Sequence, residues 1–299
     1  TVIVFIGVNV IGDPVEILIS PDADQAERIR AIAALGLDKP LWEQYLHFLT
    51  GALHGDLGRS FVYNEPALRL IGSRMPATME LAVTAVLMSI FIGIPLGLFA
   101  GLKPNSFLGR ATMAGSILGF SLPTFWVGLM MIMVFAVQLG WLPSTGRGHT
   151  AELFGIQWSF LTLDGLKHMA MPATNLALGN IALVLRLTRS GVRENLSMDY
   201  VKFARAKGLS PTRVVFVHVL KNILIPIITI IGLEFGSLIA FAVVTESVFA
   251  WPGMGKLIID SINVLDRPVI VAYLMMIVFL FIASDLTVDL LYTVLDPRV

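Results

Sequence analysis

The sequence predicts an all-α membrane protein that crosses the bilayer several times. Composition is the first observation: 56% of residues are hydrophobic and 14% charged, with a mean hydropathy of +0.81, whereas a soluble domain carries about 25% charged residues. The second is five long apolar stretches, at 79–102, 112–139, about 173–187, 223–247 and 269–295. A helical crossing needs about 20 apolar residues, so the third of these must borrow from its flanks. The last observation is an absence: the runs lack the period-2 alternation of a barrel. Backbone polar groups in hydrocarbon must bond within their own segment, so the spans are helices.

Taken in order, residues 1–11 (TVIVFIGVNVI) are apolar but too short to cross. They are expected to be the end of a first span whose beginning is missing, which makes six spans with the first truncated. No basic n-region or cleavage site marks a signal peptide. Residues 12–78 form an expected extracytoplasmic helical segment. Ser20-Pro21-Asp22 offers a cap, Gly36 a stop after ADQAERIRAIAAL, and LWEQYLHFLTGALHG places Leu41, Tyr45, Phe48, Leu49 and Leu53 on one side. Two short amphipathic helices on the outer face are expected. Residues 79–299 are the core transmembrane domain, with kinks expected at Pro95, Pro123 and Pro226.

Lysine and arginine in the loops set orientation. Residues 186–222 hold Arg186, Arg189, Arg193, Lys202, Arg205, Lys207, Arg213 and Lys221 against Glu194 and Asp199, and the 103–111 turn holds Lys103 and Arg110 with no acid. Both lie on one side if spans alternate. That side is expected to be the cytoplasm, holding loop 188–222 and the C-terminus.

Within that loop, FARAKGLSPTRVVFVHVLKN (203–222) reads as helix, turn, helix. Ser197 is the expected cap of MDYVKFARAK, with Asp199 in the first turn, where the helix dipole favours an acid. Gly208 is the expected left-handed stop. Ser210-Pro211 restarts a second helix, expected to end at Asn222. Leu196, Tyr200, Phe203 and Lys207 fall at helical spacing as one stripe, Ala204 lies beside it, and Arg205 points elsewhere. Ala204 and Ala206 are small enough to let another backbone approach. Two readings fit: docking into a groove of a partner protein, or aromatic rings in the headgroup layer with lysine and arginine on anionic lipid.

Acids in spans are functional candidates by default. Glu234 and Glu246 are about 120° apart on an ideal helix and cannot share one line of sight. Glu234, the deeper, is the candidate for the pathway. Glu246 lies near the outer end, beside Trp251-Pro252-Gly253, as a gate candidate or as a hydrated or loop-bonded carboxylate. Asp285 and Asp289 share a face of the last span and read as packing or subunit-interface polar groups near its cytoplasmic end rather than as a proton relay. Met254, Leu257, Ile258, Ile262 and Leu265 form the stripe of a short outer helix, either a gate or platform or simply a helix at the interface. The five histidines are scattered without HExxH spacing and there is no cysteine, so no metal site is expected. No phosphate-binding G-x-x-x-x-G-K-[ST] loop exists either, so any ATP is hydrolysed by another chain.

The 197–222 segment resembles the cytoplasmic loop of the membrane subunits of bacterial ABC importers, whose pattern is E-A-A-x-x-x-G followed nine residues later by I-x-L-P. Ala204, Gly208 and Leu220 match; Lys202, Phe203, His218 and Lys221 depart. The version here, D-Y-x-x-x-A-R-A-K-G at Asp199–Gly208, is similar to the dipeptide/oligopeptide/nickel branch. The same branch is echoed in GDPV (12–15), LGLDKPLWEQYLHFLTGALHGDLGRS (35–60), GWLPSTG (140–146), LRLTRSGVREN (185–195), TESVFAWPGMGKL (245–257) and VDLLYTVLDPR (288–298).

The resemblance implies a type I importer permease fold in the bacterial cytoplasmic (inner) membrane, forming half of a path for di- or oligopeptides, with glutathione or nickel chelates as alternatives. It implies a second homologous permease subunit, two cytosolic ATPases carrying ATP and Mg²⁺, and an extracytoplasmic solute-binding protein. Residues 196–208 become the helix that couples to an ATPase, with Tyr200 and Phe203 as anchors and Lys202, Arg205 and Lys207 as its rim. No cofactor is expected in this chain, and lipid but not nucleic acid is a partner. A secondary transporter would show inverted repeats and a coupling-ion site, and an intramembrane enzyme would show a nucleophile–base pair. Neither is evident.

Overall fold

Long helices follow directly from the apolar runs. The structure, a computed structural model, describes residues 38–295 together with 2, 24–26, 29 and 32. The expected first span and first outer helix lie outside the described residues. In chain order the elements are α1 (Leu41–Leu53), α2 (Ala67–Leu102), α3 (Phe107–Ser121), α4 (Thr124–Gln138), β1 (Ala151–Leu153), β2 (Ile156–Trp158), α5 (Leu163–Ser197), α6 (Asp199–Ala206), α7 (Pro211–Val248), α8 (Met254–Asn263) and α9 (Arg267–Leu295). Among the described residues α2, α5, α7 and α9 are long and apolar enough to cross, and α3 with α4 makes a fifth candidate.

Boundaries differ from expectation for physical reasons. The 112–139 run is two helices meeting at 106°. Pro123 lacks the N–H that would continue α3 and pushes Leu122 into an extended conformation (φ −85, ψ 136). The short 173–187 run is the middle of the 35-residue α5, whose ends carry Asp164, Lys167 and Arg193 and so escape a hydropathy reading. α2 begins at Ala67 rather than at residue 79, because Pro66 and the tight turn before it end the extended chain.

Two compact units can be distinguished: residues up to Thr78 with Pro252–Leu280, and Met79–Trp251 with the chain from Phe281 onward. In the first unit α8 buries Met254, Leu257 and Ile258, as its stripe predicts, while Ile262 is exposed. The Met254 N–H donates to Thr78 Oγ1 (2.8 Å). The buried carboxylate of Asp266 accepts from Ser60 Oγ and from the Phe61 N–H (3.1 Å), pinning the turn before α2. α1 does not bury the stripe expected of it: Tyr45 and Phe48 are half-covered, but Leu41 and Leu53 are 65% and 79% exposed.

The second unit is held by close helix contacts. Gly93, Gly97 and Gly101 recur at four-residue spacing along α2 and lie against α5. A Cβ on Gly97 would stand 2.6 Å from the Leu185 carbonyl oxygen and 2.6 Å from Thr188 Cβ. Small residues at this spacing let two backbones approach where no hydrophobic force drives association. Gly191 meets Ile223 of α7 in the same way, and Gly232 and Gly236 of α7 meet Val288 and Phe281 of α9.

Candidate functional site

The 196–222 segment is built at the end of α5. That helix runs through Ser197, whose Oγ donates back to the Glu194 carbonyl (2.7 Å). Ser197 therefore does not cap the next helix as expected. Met198, extended at φ −69 and ψ 150, breaks the chain instead, and no side chain caps α6. Asp199 occupies the first turn and pairs with Lys202 Nζ at 2.8 Å. Gly208 ends the turn at φ +75, a conformation glycine adopts without Cβ strain. Its N–H donates to Arg205 O (2.9 Å), and the Leu209 N–H donates to Ala204 O. Ser210 Oγ accepts from the Arg213 N–H and Pro211 takes the first helical position. The second arm does not end at Asn222. Nothing between Pro211 and Pro226 stops a helix, so α7 continues into the span through a widened π turn at Val214–Val219.

Which faces are covered decides what α6 can do. Val201 and Ala204 are buried in one cluster with Val192 of α5, Val214, Val219 and Ile223 of α7, and Leu98 of α2. Leu196 packs on that cluster from α5, so the expected stripe divides: Leu196 faces inward, while Tyr200 and Phe203 are exposed. Ala204 is used for packing inside the chain, not for the approach of another backbone; Ala206 is exposed. Phe203 is 63% exposed, with Lys207 Nζ 4.6 Å from its ring centroid. Tyr200 Oη donates to Asn195 Oδ1. The outward surface is thus two aromatic rings, Tyr200 and the more exposed Phe203, among Lys202, Arg205 and Lys207, on a short helix tied to two long ones.

Glu234 of α7 is partly buried and lines a cavity of about 10 Å³ with Ser89, Asn180 and Ile231, room for about one water. Among the described residues it has no hydrogen-bond or ion-pair partner, unlike Ser89, which donates to Ala85 O. Glu246 is completely buried. Its backbone oxygen accepts from the Trp251 N–H (2.8 Å), and Trp251 is itself buried, with Arg147 Cζ 5.9 Å from its ring. Pro252 is half-buried and Gly253 buried at the start of α8. Asp285 is exposed on α9; the side chain of Asp289 lies outside those described.

Sequence reasoning missed one well-partnered acid. Glu80 lies on α2 with its side chain fully buried, accepting from Arg147 Nε (3.0 Å) and Nη2 (2.7 Å) and from the Ser159 N–H. Arg147 also donates to Ser159 Oγ and Gln157 O. The signal was present: an acid inside the 79–102 run with an arginine in a loop beyond the next runs. Asp164 accepts from the backbone and ring of His149 and sits 3.6 Å from His168. Even so, no group of three ligands that could hold a metal occurs among the described residues.

Residues 93–299 match the family of binding-protein-dependent transport system inner membrane components. The chain belongs to this family. It is similar to the di/tripeptide transport system permease protein of Pseudomonas aeruginosa (strain UCBPP-PA14), 40% identical over 96% of this chain and 90% of that one. It is likewise similar to the dipeptide transport system permease protein of Escherichia coli (strain K12), 37% identical over 100% of this chain and 93% of that one. Among solved structures it is similar in fold to a chain of the MetNI methionine ABC transporter in inward-facing conformations, with a TM-score of 0.58 at 16% identity, over 76% of this chain and 96% of that one. The permease is therefore a multi-pass membrane subunit of an ABC importer.

Proposed function

We propose that this permease forms half of the translocation path for short peptides, that a second homologous subunit completes it, and that two cytosolic ATPases drive it through α6. An extracytoplasmic solute-binding protein delivers the peptide, and loop 188–222 and the C-terminus face the cytoplasm. ATP and Mg²⁺ stay on the ATPase chains. The substrate reading rests on the full-length likeness to two peptide permeases.

The observation that carries the coupling reading is the two-faced packing of α6. Val201 and Ala204 bind it to the span helices, while Phe203 and its cationic rim are left outside. Such a helix can be held by a partner groove and pass displacement to the spans. Closure of the ATPase pair favours one permease conformation, and only that differential affinity can shift the population. Glu234, the unpartnered acid on α7, is the proposed contact for the ammonium end of a peptide in transit. Glu246 and the Trp251-Pro252-Gly253 turn are proposed to act at its outer gate.

The test is uptake of a radiolabelled dipeptide into proteoliposomes holding the complete transporter, with binding protein outside and ATP inside. Phe203→Asp should assemble yet lose uptake and the substrate stimulation of ATP hydrolysis. Wild-type uptake by that variant would remove α6 from the mechanism. Preferential uptake of glutathione or a nickel chelate would overturn the substrate reading alone.

A further inference from the structure

We propose that the β1–β2 hairpin between α4 and α5 is a membrane-interface anchor, with its tip and one face seated in the headgroup layer of the bilayer. The strand register makes the hairpin two-faced. Ala151 opposes Trp158 and Leu153 opposes Ile156, while the pair between them is Glu152 with Gln157. Successive side chains of a strand point to opposite faces, so one face is wholly apolar and the other polar.

The polar face is already engaged. Gln157 accepts from Arg147 through its backbone oxygen (2.7 Å) and from Thr150 through its side chain (3.0 Å), which fixes the hairpin to the buried Arg147–Glu80 pair. Strands of three residues cannot stand alone in water, and this tether supplies support on one side only. Leu153 and Ile156 remain 41% and 38% exposed on the other.

The tip points the same way. Phe154 and Gly155 take φ of +55 and +75, the primed turn that favours asparagine and glycine. A phenylalanine there carries a backbone cost, yet its ring is 93% exposed. A ring kept at such a position gains only if something apolar receives it.

Lipid is the occupant that the surroundings favour. Along the chain the hairpin is flanked by large exposed apolar residues, Trp141 after α4 (66% exposed) and Leu163 at the start of α5 (72%), and α5, and α3 with α4, are membrane-spanning candidates. No charged residue stands on the apolar face to select a protein partner. Trp158 turns its indole N–H inward to Leu153 O (3.3 Å) and leaves a ring of the kind enriched at membrane–water boundaries.

The chain contains no cysteine, so once any cysteines of its partner chains are replaced by serine, single thiols can carry a spin label without background. Phe154→Cys, Leu153→Cys and, on the polar face, Glu152→Cys are each labelled in the complete transporter, in nanodiscs of phosphatidylethanolamine and phosphatidylglycerol. Collision with oxygen is then compared with collision with a water-soluble nickel chelate. The oxygen-to-nickel ratio should be several-fold higher at 154 and 153 than at 152. Equal ratios at all three positions would place the hairpin in water. Protection of 154 and 153 from both reagents would place a protein there instead. Either outcome overturns the proposal, and neither bears on peptide transport through the same complex.

Discussion

Gly97→Ala tests the close contact between α2 and α5. In an open helical position this change stabilises by about 0.5–1 kcal/mol, because alanine has less backbone freedom to lose. At Gly97 the new Cβ would sit 2.6 Å from the Leu185 carbonyl oxygen and from Thr188 Cβ, where ordinary contact begins at 3.4 Å. The helices must part by about 0.8 Å, because a backbone oxygen cannot rotate away. Overpacking of this kind costs about 1–3 kcal/mol, so the net loss should be about 1–2 kcal/mol. Gly115→Ala on α3, with nothing within 4 Å of its Cβ, is the matched control and should be neutral or stabilising. Thermal unfolding of the purified chain in one lipid–detergent mixture would compare them. Equal stabilisation by both would mean that α2 and α5 do not touch at Gly97.

Arg147→Met should cost about 3–5 kcal/mol in the same assay by leaving Glu80 buried and unpaired, and adding Glu80→Met should restore most of it; a fully additive double variant would show that the pair is not coupled. Gly208→Ala should cost about 1–2 kcal/mol locally, since φ +75 is disfavoured with a Cβ, seen as faster amide exchange at Arg205–Ser210; unchanged exchange would contradict the turn geometry. Phe203→Asp should abolish ATP-driven uptake without changing the unfolding temperature, as its ring is outside the core. Glu234→Gln should slow dipeptide uptake roughly tenfold, the worth of a hydrogen bond to a charged group, with ATP hydrolysis retained; an unchanged rate would make Glu234 structural.

Much of this architecture was legible because its causes are local. Pro123 breaks a helix by its own covalent structure, and Gly208, Ser210 and Pro211 state a stop and a restart within four residues. What escaped was set elsewhere in the chain. Ser197 is a good cap by type, yet α5 had already claimed it, and its hydroxyl went to Glu194 O. Leu196 and Phe203 share a helical spacing only if one helix holds both, and the break at Met198 separates them. The pairing of Glu80 with Arg147 joins positions 67 residues apart. No periodicity reveals such a pair, although a buried acid in a span demands a partner and a search for one would have begun with the loop arginines.

The packing of α6 bears on how force could pass through it. For α6 to move on its own it would have to withdraw Val201 from its pocket, losing about 1.5–3 kcal/mol of apolar burial, and pull Ala204 from the same cluster. That cluster also contains Val192, Val214, Val219 and Leu98, which belong to three of the long helices. No such cost opposes moving α6 together with the ends of α2, α5 and α7. A partner holding Phe203 therefore acts on those helices as a body. The one-residue break at Met198 and the four-residue turn after Ala206 are too short to absorb the displacement as slack. The widened turn at Val214–Val219 is different: it lies between the held end of α7 and Pro226, where a helix bends most readily. Bending in the proposed cycle should concentrate there, below Glu234, so that motion at α6 alters the path at the depth of the unpartnered acid.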